Sequence, residues 1–255
     1  MKHLILALLC LLPVQGALAF NNTDLATVQN GNSLVNGDLS GADLSGLDLS
    51  GKDFTGTDFT QARLVKTNLD RSTLKNCNFY RASLHGASLR YVKLQGASLE
   101  YAKAPSVNLT NAECQSGNFH RCDLAKAILL NSLFTGTDLS EANLNSVKAD
   151  YSDFTNANLA NAWLSNAKFP HCYMRHANLF SAHLNNADFS NADLQYANMA
   201  ATDNANTDLS NADLDYASLR KADLRKTKLT NTQFKHAFLD EAILKNKTKQ
   251  TQPDK

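Results

Sequence analysis

Residues 36–60 read N-G-D-L-S-G-A-D-L-S-G-L-D-L-S-G-K-D-F-T-G-T-D-F-T, placing Leu39, Leu44, Leu49, Phe54 and Phe59 five residues apart. The same phase holds from Leu34 to Leu244 without a slip. Of its 43 positions, 28 are Leu, 9 Phe and 2 Met, so only Ala104, Cys114, Ala149 and Asn204 depart from a large apolar residue. Two residues before each central position sits a small one, usually Ala, as at Ala42, Ala62, Ala82, Ala87 and Ala97. Asp or Asn commonly comes just before the centre, as at Asp43, Asp48, Asn143, Asp193 and Asp213. A repeat this strict specifies a solenoid.

Neither standard period fits a spacing of five. An amphipathic helix needs apolar residues at a spacing of about 3.6, and five residues of helix rotate the side chain by about 140° each time, so no face forms. In one continuous strand an odd spacing throws successive leucines onto opposite faces. The chain must therefore turn after each short extended piece, with every Leu or Phe pointing to one axis. The small residue two positions earlier faces inward beside it.

The segments A-D-L-S-G at 42–46, A-N-L-A-N at 157–161 and A-D-L-D-Y at 212–216 resemble the pentapeptide repeat family, A-(D/N)-L-x-x. The resemblance runs from residue 32 to about 244. It implies an all-β solenoid: a right-handed quadrilateral β-helix with one pentapeptide per side, twenty residues per coil and about eleven coils across 34–244. At a spacing of roughly 4.8 Å between paired strands, the rod is expected to be about 50 Å long.

The ends fall outside the pattern. Lys2 and His3 precede an apolar run from Leu4 to Leu12, followed by Pro13 and the small-residue site Ala17-Leu18-Ala19. That form is expected of a secretory signal peptide, residues 1–19, cleaved after Ala19 and too short to span a membrane. Residues 20–33 are expected to cap the first coil and shield its strand edges. At the other end Phe238, Leu239, Ala242 and Ile243 fall at helical spacing, which reads either as a capping helix over 236–244 or as a dimer interface. The resemblance implies the latter alternative too, since family members often dimerise through a C-terminal cap. The Lys-rich tail 245–255 reads as disordered.

Export with four further cysteines invites a disulfide reading. The repeat argues against it, because Cys77, Cys122 and Cys172 take the small inward position, Cys114 takes a central one, and the pairs lie on different faces or coils. A disulfide needs Cα atoms within about 7 Å. The expectation is four buried structural thiols.

The formal charge of +1 hides blocks. Residues 31–60 carry one Lys and five Asp, net −4; 61–103 carry eight basic and two acidic residues, net +6. Residues 138–215 carry three basic and ten acidic, net −7, and 216–255 carry ten and four, net +6. Such blocks steer charged partners, although solvated solenoid sides also look like this.

With residues twenty apart stacked, one column reads His176, Tyr196, Tyr216, His236 and another Arg81, Tyr101, Arg121, Glu141. Asn ladders are expected at Asn166/Asn186/Asn206, Asn158/Asn178/Asn198 and Asn191/Asn211/Asn231. Two places break the polar-outside rule. Ile128, Leu130 and Leu133 sit at outward positions, and Trp163, Phe180 and His183 are expected to cluster. Contiguous exposed apolar residues mark partner contacts, which makes these six, with Phe238 and Ile243, the candidate partner-binding residues. Pro105 and Asn204 mark the expected irregular coils, Asn204 needing a buried hydrogen-bond partner.

Catalytic chemistry finds no footing. His171, Cys172, His176 and His183 are the nearest approach to a metal cluster, but their phases point them to different sides. The sequence has no G-x-S-x-G elbow, phosphate-binding glycine loop or H-E-x-x-H, and its many Asp residues are set by the repeat. The expectation is an exported non-catalytic rod, without cofactor or metal, that binds an unknown protein partner or itself in the bacterial periplasm or beyond. The resemblance also implies an alternative, a DNA-mimicking binder of a type II topoisomerase. The export signal and a mature chain of zero formal charge count against it. Direct nucleic-acid binding is not expected.

Overall fold

The computed structural model describes residues 20–244; the expected signal peptide and basic tail lie outside the described residues. Each pentapeptide makes one extended, bridged residue and one tight turn. In the turn Leu39-Ser40-Gly41-Ala42, the Ala42 N–H donates to the Leu39 carbonyl at 3.0 Å, and Gly41 has φ +72°. The third turn residue is left-handed at every equivalent position from Asn36 to Glu241 except Lys226. A positive φ at that place alone is the mark of a type II turn. Asn is the commonest non-glycine residue there, and its short polar side chain tolerates this conformation best.

The same geometry corrects the expectation at Pro105. It occupies the second turn position, where a φ near −65° is wanted and the backbone N–H makes no ladder bond. Its carbonyl still accepts from Gly86 N–H at 3.0 Å, so the coil is regular. Pro170 is used in the same way, accepting from Tyr151 N–H.

Every bridge is parallel and joins a residue to the one twenty places on, from Asp38↔Asp58 to Asp223↔Ile243. Four such ladders, begun by Asp38, Asp43, Asp48 and Asp53, run the length of the chain. The extended pieces are single bridged residues rather than long strands, and together they build a β solenoid. Inside, rings twenty apart stack: Phe59 on Phe79 at 4.7 Å, Phe134 on Phe154 at 5.0 Å, Phe169 on Phe189 at 5.2 Å. These distances measure the rise from one coil to the next. The large central residues and the small ones two places before them form one continuous buried core.

Backbone donors are accounted for residue by residue. In a pentapeptide such as 38–42, the Leu39 and Gly41 N–H groups donate to the next coil, at Asp58 O and Thr60 O, and the Ala42 N–H closes the turn. The bridged residue donates backwards, as Asp58 N–H does to Gly37 O. One amide is left over, at the second turn position. The Asp or Asn two residues earlier takes it: Ser40 N–H on Asp38, Ser45 on Asp43, Ala160 on Asn158. This is the physical reason for the Asp/Asn preference. At three places where that residue is something else, the coil below supplies the acceptor: Asp70 for Arg90 N–H, Asn145 for Ser165 N–H and Asp215 for Lys235 N–H.

Polar residues at the small inward position are satisfied inside the core. Thr67, Thr137 and Thr207 donate their hydroxyls to the carbonyls of Leu44, Cys114 and Leu184. Cys77 and Cys172 direct their thiols at Phe54 O and Ala149 O. All four described cysteines are free and buried. Burial pushes the Cys77 thiol up to about 12 and raises the other three as well.

One coil is irregular, at Asn204. Its side chain is fully buried and donates to Thr202 O at 3.3 Å and Thr202 Oγ1 at 2.7 Å, while Oδ1 has no partner. The ladder bonds that the register requires from Asn204 N–H to Asp223 O and from Asn206 N–H to Arg225 O are absent, and Lys226 in the facing turn loses its left-handed conformation.

At the N-terminal end, α1 (Asn22–Gln29) is capped by Asn21, whose side chain accepts from Thr23 and Asp24 N–H. Asn21 N–H donates to Asp38 O and Asp38 N–H donates to Asp24 Oδ2 at 2.8 Å, so α1 is tied to the first bridged residue. Val28 is buried, and Phe20 and Leu25 pack on the core. At the C-terminal end the structure forms no capping helix over 236–244. Phe238 bridges to Ser218 and Ile243 to Asp223, continuing the solenoid. The helical spacing was a coincidence of inward pairs (237 and 239, 242 and 244) with apolar residues at two bridged positions.

Candidate functional site

The candidate residues are outward positions of a rod whose interior is full, so their use depends on what they expose. Trp163 and His183 occupy consecutive places on the Asp43 ladder. Their rings stack at 4.3 Å with an interplanar angle of 25°, leaving Trp163 51% exposed. They line an open notch of about 560 Å³ with Arg121, Glu141 and Asn161. Arg121 bonds both Glu141 and the Tyr101 hydroxyl, so the polar side of the notch is held in place. Phe180 is 45% exposed but sits on the neighbouring turn and does not line the notch. The expected cluster is therefore a pair with a separate neighbour.

Ile128 lies on the Asp48 ladder and Leu133 on the Asp53 ladder. Leu130 belongs to the turn between them. Ile128 and Leu130 are half-buried and Leu133 is exposed. The three wrap one edge of the rod rather than lying on one side.

His176, Tyr196, Tyr216 and His236 stack continuously, with centroids 4.9, 4.9 and 4.8 Å apart. Each stands on a left-handed turn residue, which points its ring away from the rod. Because the rings cover one another's faces, solvent meets their edges and the Tyr hydroxyls. Phe238 and Ile243 are about half exposed, and the Arg220 guanidinium lies 5.1 Å from the Phe238 ring centroid. The cation partly shields that ring.

Four exposed large residues escaped the sequence reading: Val35 and Tyr91, each about half exposed, and the pair Tyr151 and Tyr173. Tyr151 is 58% and Tyr173 56% exposed, on the same edge and ladder as Leu130 and Leu133. Tyr151 also stacks on His171 at 4.8 Å. Reading the column Leu133, Asp153, Tyr173 at a spacing of twenty would have found the second, and Tyr151, His171 the first.

His171, His176 and His183 stand on three different columns, each against its own aromatic ring, and Cys172 is buried with its thiol on Ala149 O. Among the described residues no group of three or more His, Cys, Asp or Glu side chains is placed to hold a metal ion. No described helix is long and apolar enough to cross a membrane. Several carboxylates sit below their usual range. Asp48 and Asp53 do so through bonds from Ser50 and Thr55, and Asp223, held by Arg225, falls to about 2. These shifts belong to the turn acceptors and mark no acid–base pair.

A family model agrees with this geometry. The family model described as "Pentapeptide repeats" matches residues 38–76, 77–113, 117–150, 152–179, 172–203 and 207–246. Among solved structures, one similar chain is HetL, a pentapeptide repeat protein involved in heterocyst differentiation regulation from the cyanobacterium Nostoc sp. strain PCC 7120. It is 27% identical over 87% of this chain and 95% of its own, with a TM-score of 0.41. Another is QnrB1, a plasmid-mediated fluoroquinolone resistance protein, 18% identical over 80% of this chain and 91% of its own, with a TM-score of 0.33. A pentapeptide repeat protein from the Arabidopsis thaliana thylakoid lumen is 27% identical over 42% of this chain and 65% of its own, with a TM-score of 0.15. A search of curated protein sequences finds no significant match. The family match spans nearly all of the bridged solenoid, and on that basis the chain belongs to the pentapeptide repeat family.

Proposed function

We propose that this protein is an exported, non-catalytic scaffold that binds another protein through the sides of a right-handed, four-sided β-helix of about eleven coils. In this reading α1 and its flanks form the N-terminal cap, residues 1–19 are removed on export, and the mature rod works in the bacterial periplasm or outside the cell. The observation that carries it is the exposure of Trp163, Phe180, Tyr151 and Tyr173 on a solenoid whose core is already filled. Large apolar side chains left outside a complete core are favoured at protein contacts. Trp163 is the chosen anchor, since it is braced by His183 beside the Arg121–Glu141 pair.

A second reading, a DNA-mimicking binder of a type II topoisomerase, rests on the acidic stretch 138–215. Asp188/Asp208 and Asp193/Asp213 stack carboxylates on two ladders there. Fractionation of the native host with an intact mass separates the two. Recovery outside the cytoplasm without residues 1–19 supports the scaffold. A full-length cytoplasmic protein that inhibits gyrase overturns it.

A further inference from the structure

We infer that the corner between the Asp43 and Asp48 ladders binds a linear acidic polysaccharide, a chain with one carboxylate per sugar, along six coils of the rod. This corner is separate from the Trp163 notch, which opens towards Arg121 and Glu141 on the corner before the Asp43 ladder. Either reading can therefore fail alone.

Positive charge is gathered on this one corner. Residues 58–177 make six coils with 13 basic and 9 acidic residues. The stretches 63–68, 83–88, 103–108, 123–128, 143–148 and 163–168 each run from the Asp43 ladder over the corner to the Asp48 ladder. Together they hold six of the basic residues and one acidic residue, Asp123, net +5. Everything else in the six coils holds seven basic and eight acidic residues, net −1. Asp43 and Asp48 end the stripe in the coil before it, and Asp188 ends it in the coil after.

The six basic side chains, Arg63, Lys66, Lys103, Lys126, Lys148 and Lys168, are all exposed. Of the ion pairs among the described residues only Arg63–Asp43, at 3.4 Å, reaches the stripe, so the five lysines are uncompensated. Asp123 is engaged as a turn acceptor, taking the Ala125 N–H and the Asn143 amide. From Lys103 to Lys168 each coil supplies one lysine, about 5 Å apart along the rod, and Arg63 with Lys66 stands two coils earlier. An extended polyuronate advances by about this rise per sugar, so successive carboxylates meet successive ammonium groups. Lysine is a compact point charge and follows such spacing without the paired geometry that an arginine fork demands. Ser83, Ser106, Ser146, Ser165 and Asn166 stand among the lysines and offer hydrogen-bonding groups to sugar hydroxyls.

Other polyanions fit this corner less well. A DNA duplex carries a charge about every 1.7 Å, roughly three times as dense. Single strands are held by stacking their bases, and the exposed rings of the stripe are only His85 and, four coils on, Trp163, which already stacks on His183. An anionic membrane laid along the corner would also meet Asp43, Asp48, Asp188, Asp203 and Asp208, which repel it.

The test titrates the full chain into a fluorescein-labelled oligogalacturonate roughly ten sugars long, about twice the stripe, and reads anisotropy at low and at physiological salt. Saturable binding that weakens steeply as salt is added is expected. Lys103→Gln with Lys126→Gln and Lys148→Gln should raise the dissociation constant at least about tenfold. Arg71→Gln with Lys75→Gln and Lys93→Gln removes the same charge from other columns of the same coils and should change it by less than about threefold. The fold accepts glutamine at each kind of place, as at Gln61 in a left-handed turn position, Gln95 in a second turn position and Gln233 at a bridge. Absence of binding at low salt overturns the inference, and so do equal losses in the two triple variants. Tighter binding to a short DNA duplex, or to phosphatidylglycerol vesicles, than to the oligogalacturonate overturns it as well.

Discussion

Replacing Asn204 by Leu should stabilise the rod, and the gain can be worked from the buried coil. Asn204 is the only polar residue among the central positions, and its Oδ1 is buried without a partner. An unsatisfied buried acceptor costs about 1–3 kcal/mol. Leu at this place would sit between Leu184 and Leu224 in its column and bury another side chain worth about 1.5–3 kcal/mol. The two missing ladder bonds to Asp223 and Arg225 carbonyls would contribute about 1 kcal/mol each if they form. Against these stands the loss of the Asn204–Thr202 bond; Thr202 keeps its own donation to Met199 O at 2.8 Å. With about 1 kcal/mol set against that lost bond, the expected net gain is at least about 2 kcal/mol, and more if both ladder bonds form. In a solenoid this is felt first by neighbouring coils, so the direct assay is native-state hydrogen exchange at the amides of residues 204 and 206. Protection there should rise by roughly 30-fold or more, from 1.4 kcal/mol per factor of ten. Unchanged exchange, or a lower melting temperature, would refute the view that Asn204 is a flaw in the core and point to a role for the loosened coil.

Other expectations follow from the same accounting. Leu159→Asp puts a charge at a fully buried centre and should cost more than about 4 kcal/mol or melt its coil, whereas Asn161→Asp, on the outward turn, should stay within about 0.5 kcal/mol. Denaturation curves for the two variants check this, and equal losses would contradict the inward and outward assignment. On acidification, Asp48, Asp53 and Asp223 are lowered in the folded state. Their contribution is present above the unfolded carboxylate range near pH 4 and is lost as pH falls towards about 2. Midpoints of urea unfolding should therefore decline between about pH 5 and pH 2, and a flat profile would remove the turn acceptors from the stability account.

The fold was legible because one fact, the spacing of five, excludes both regular periods and leaves only a turn at each corner. The column His176, Tyr196, Tyr216, His236 could be placed by adding twenty to a residue number. What the sequence hid were matters of backbone accounting. Pro105 looks disruptive until the turn type is known, because only then is its missing N–H seen to be unneeded. Phe238 and Ile243 look helical because inward pairs spaced by two and three mimic a helical face. Phe180 was grouped with Trp163 because phase gives direction but not the breadth of an edge. Trp163 is also the reminder that exposure names a surface and not its partner.

The ladder register has a consequence for how this molecule can change over generations. Removing twenty residues takes out one whole coil and leaves every remaining column in line, so the rod shortens by about 5 Å with its outer pattern intact. Removing five residues keeps the interior equally well filled but shifts everything beyond the cut onto the next ladder, scrambling each stacked ring and ion pair that crosses it. Length is thus free to vary in steps of one coil, while the surface is copied or broken as a unit.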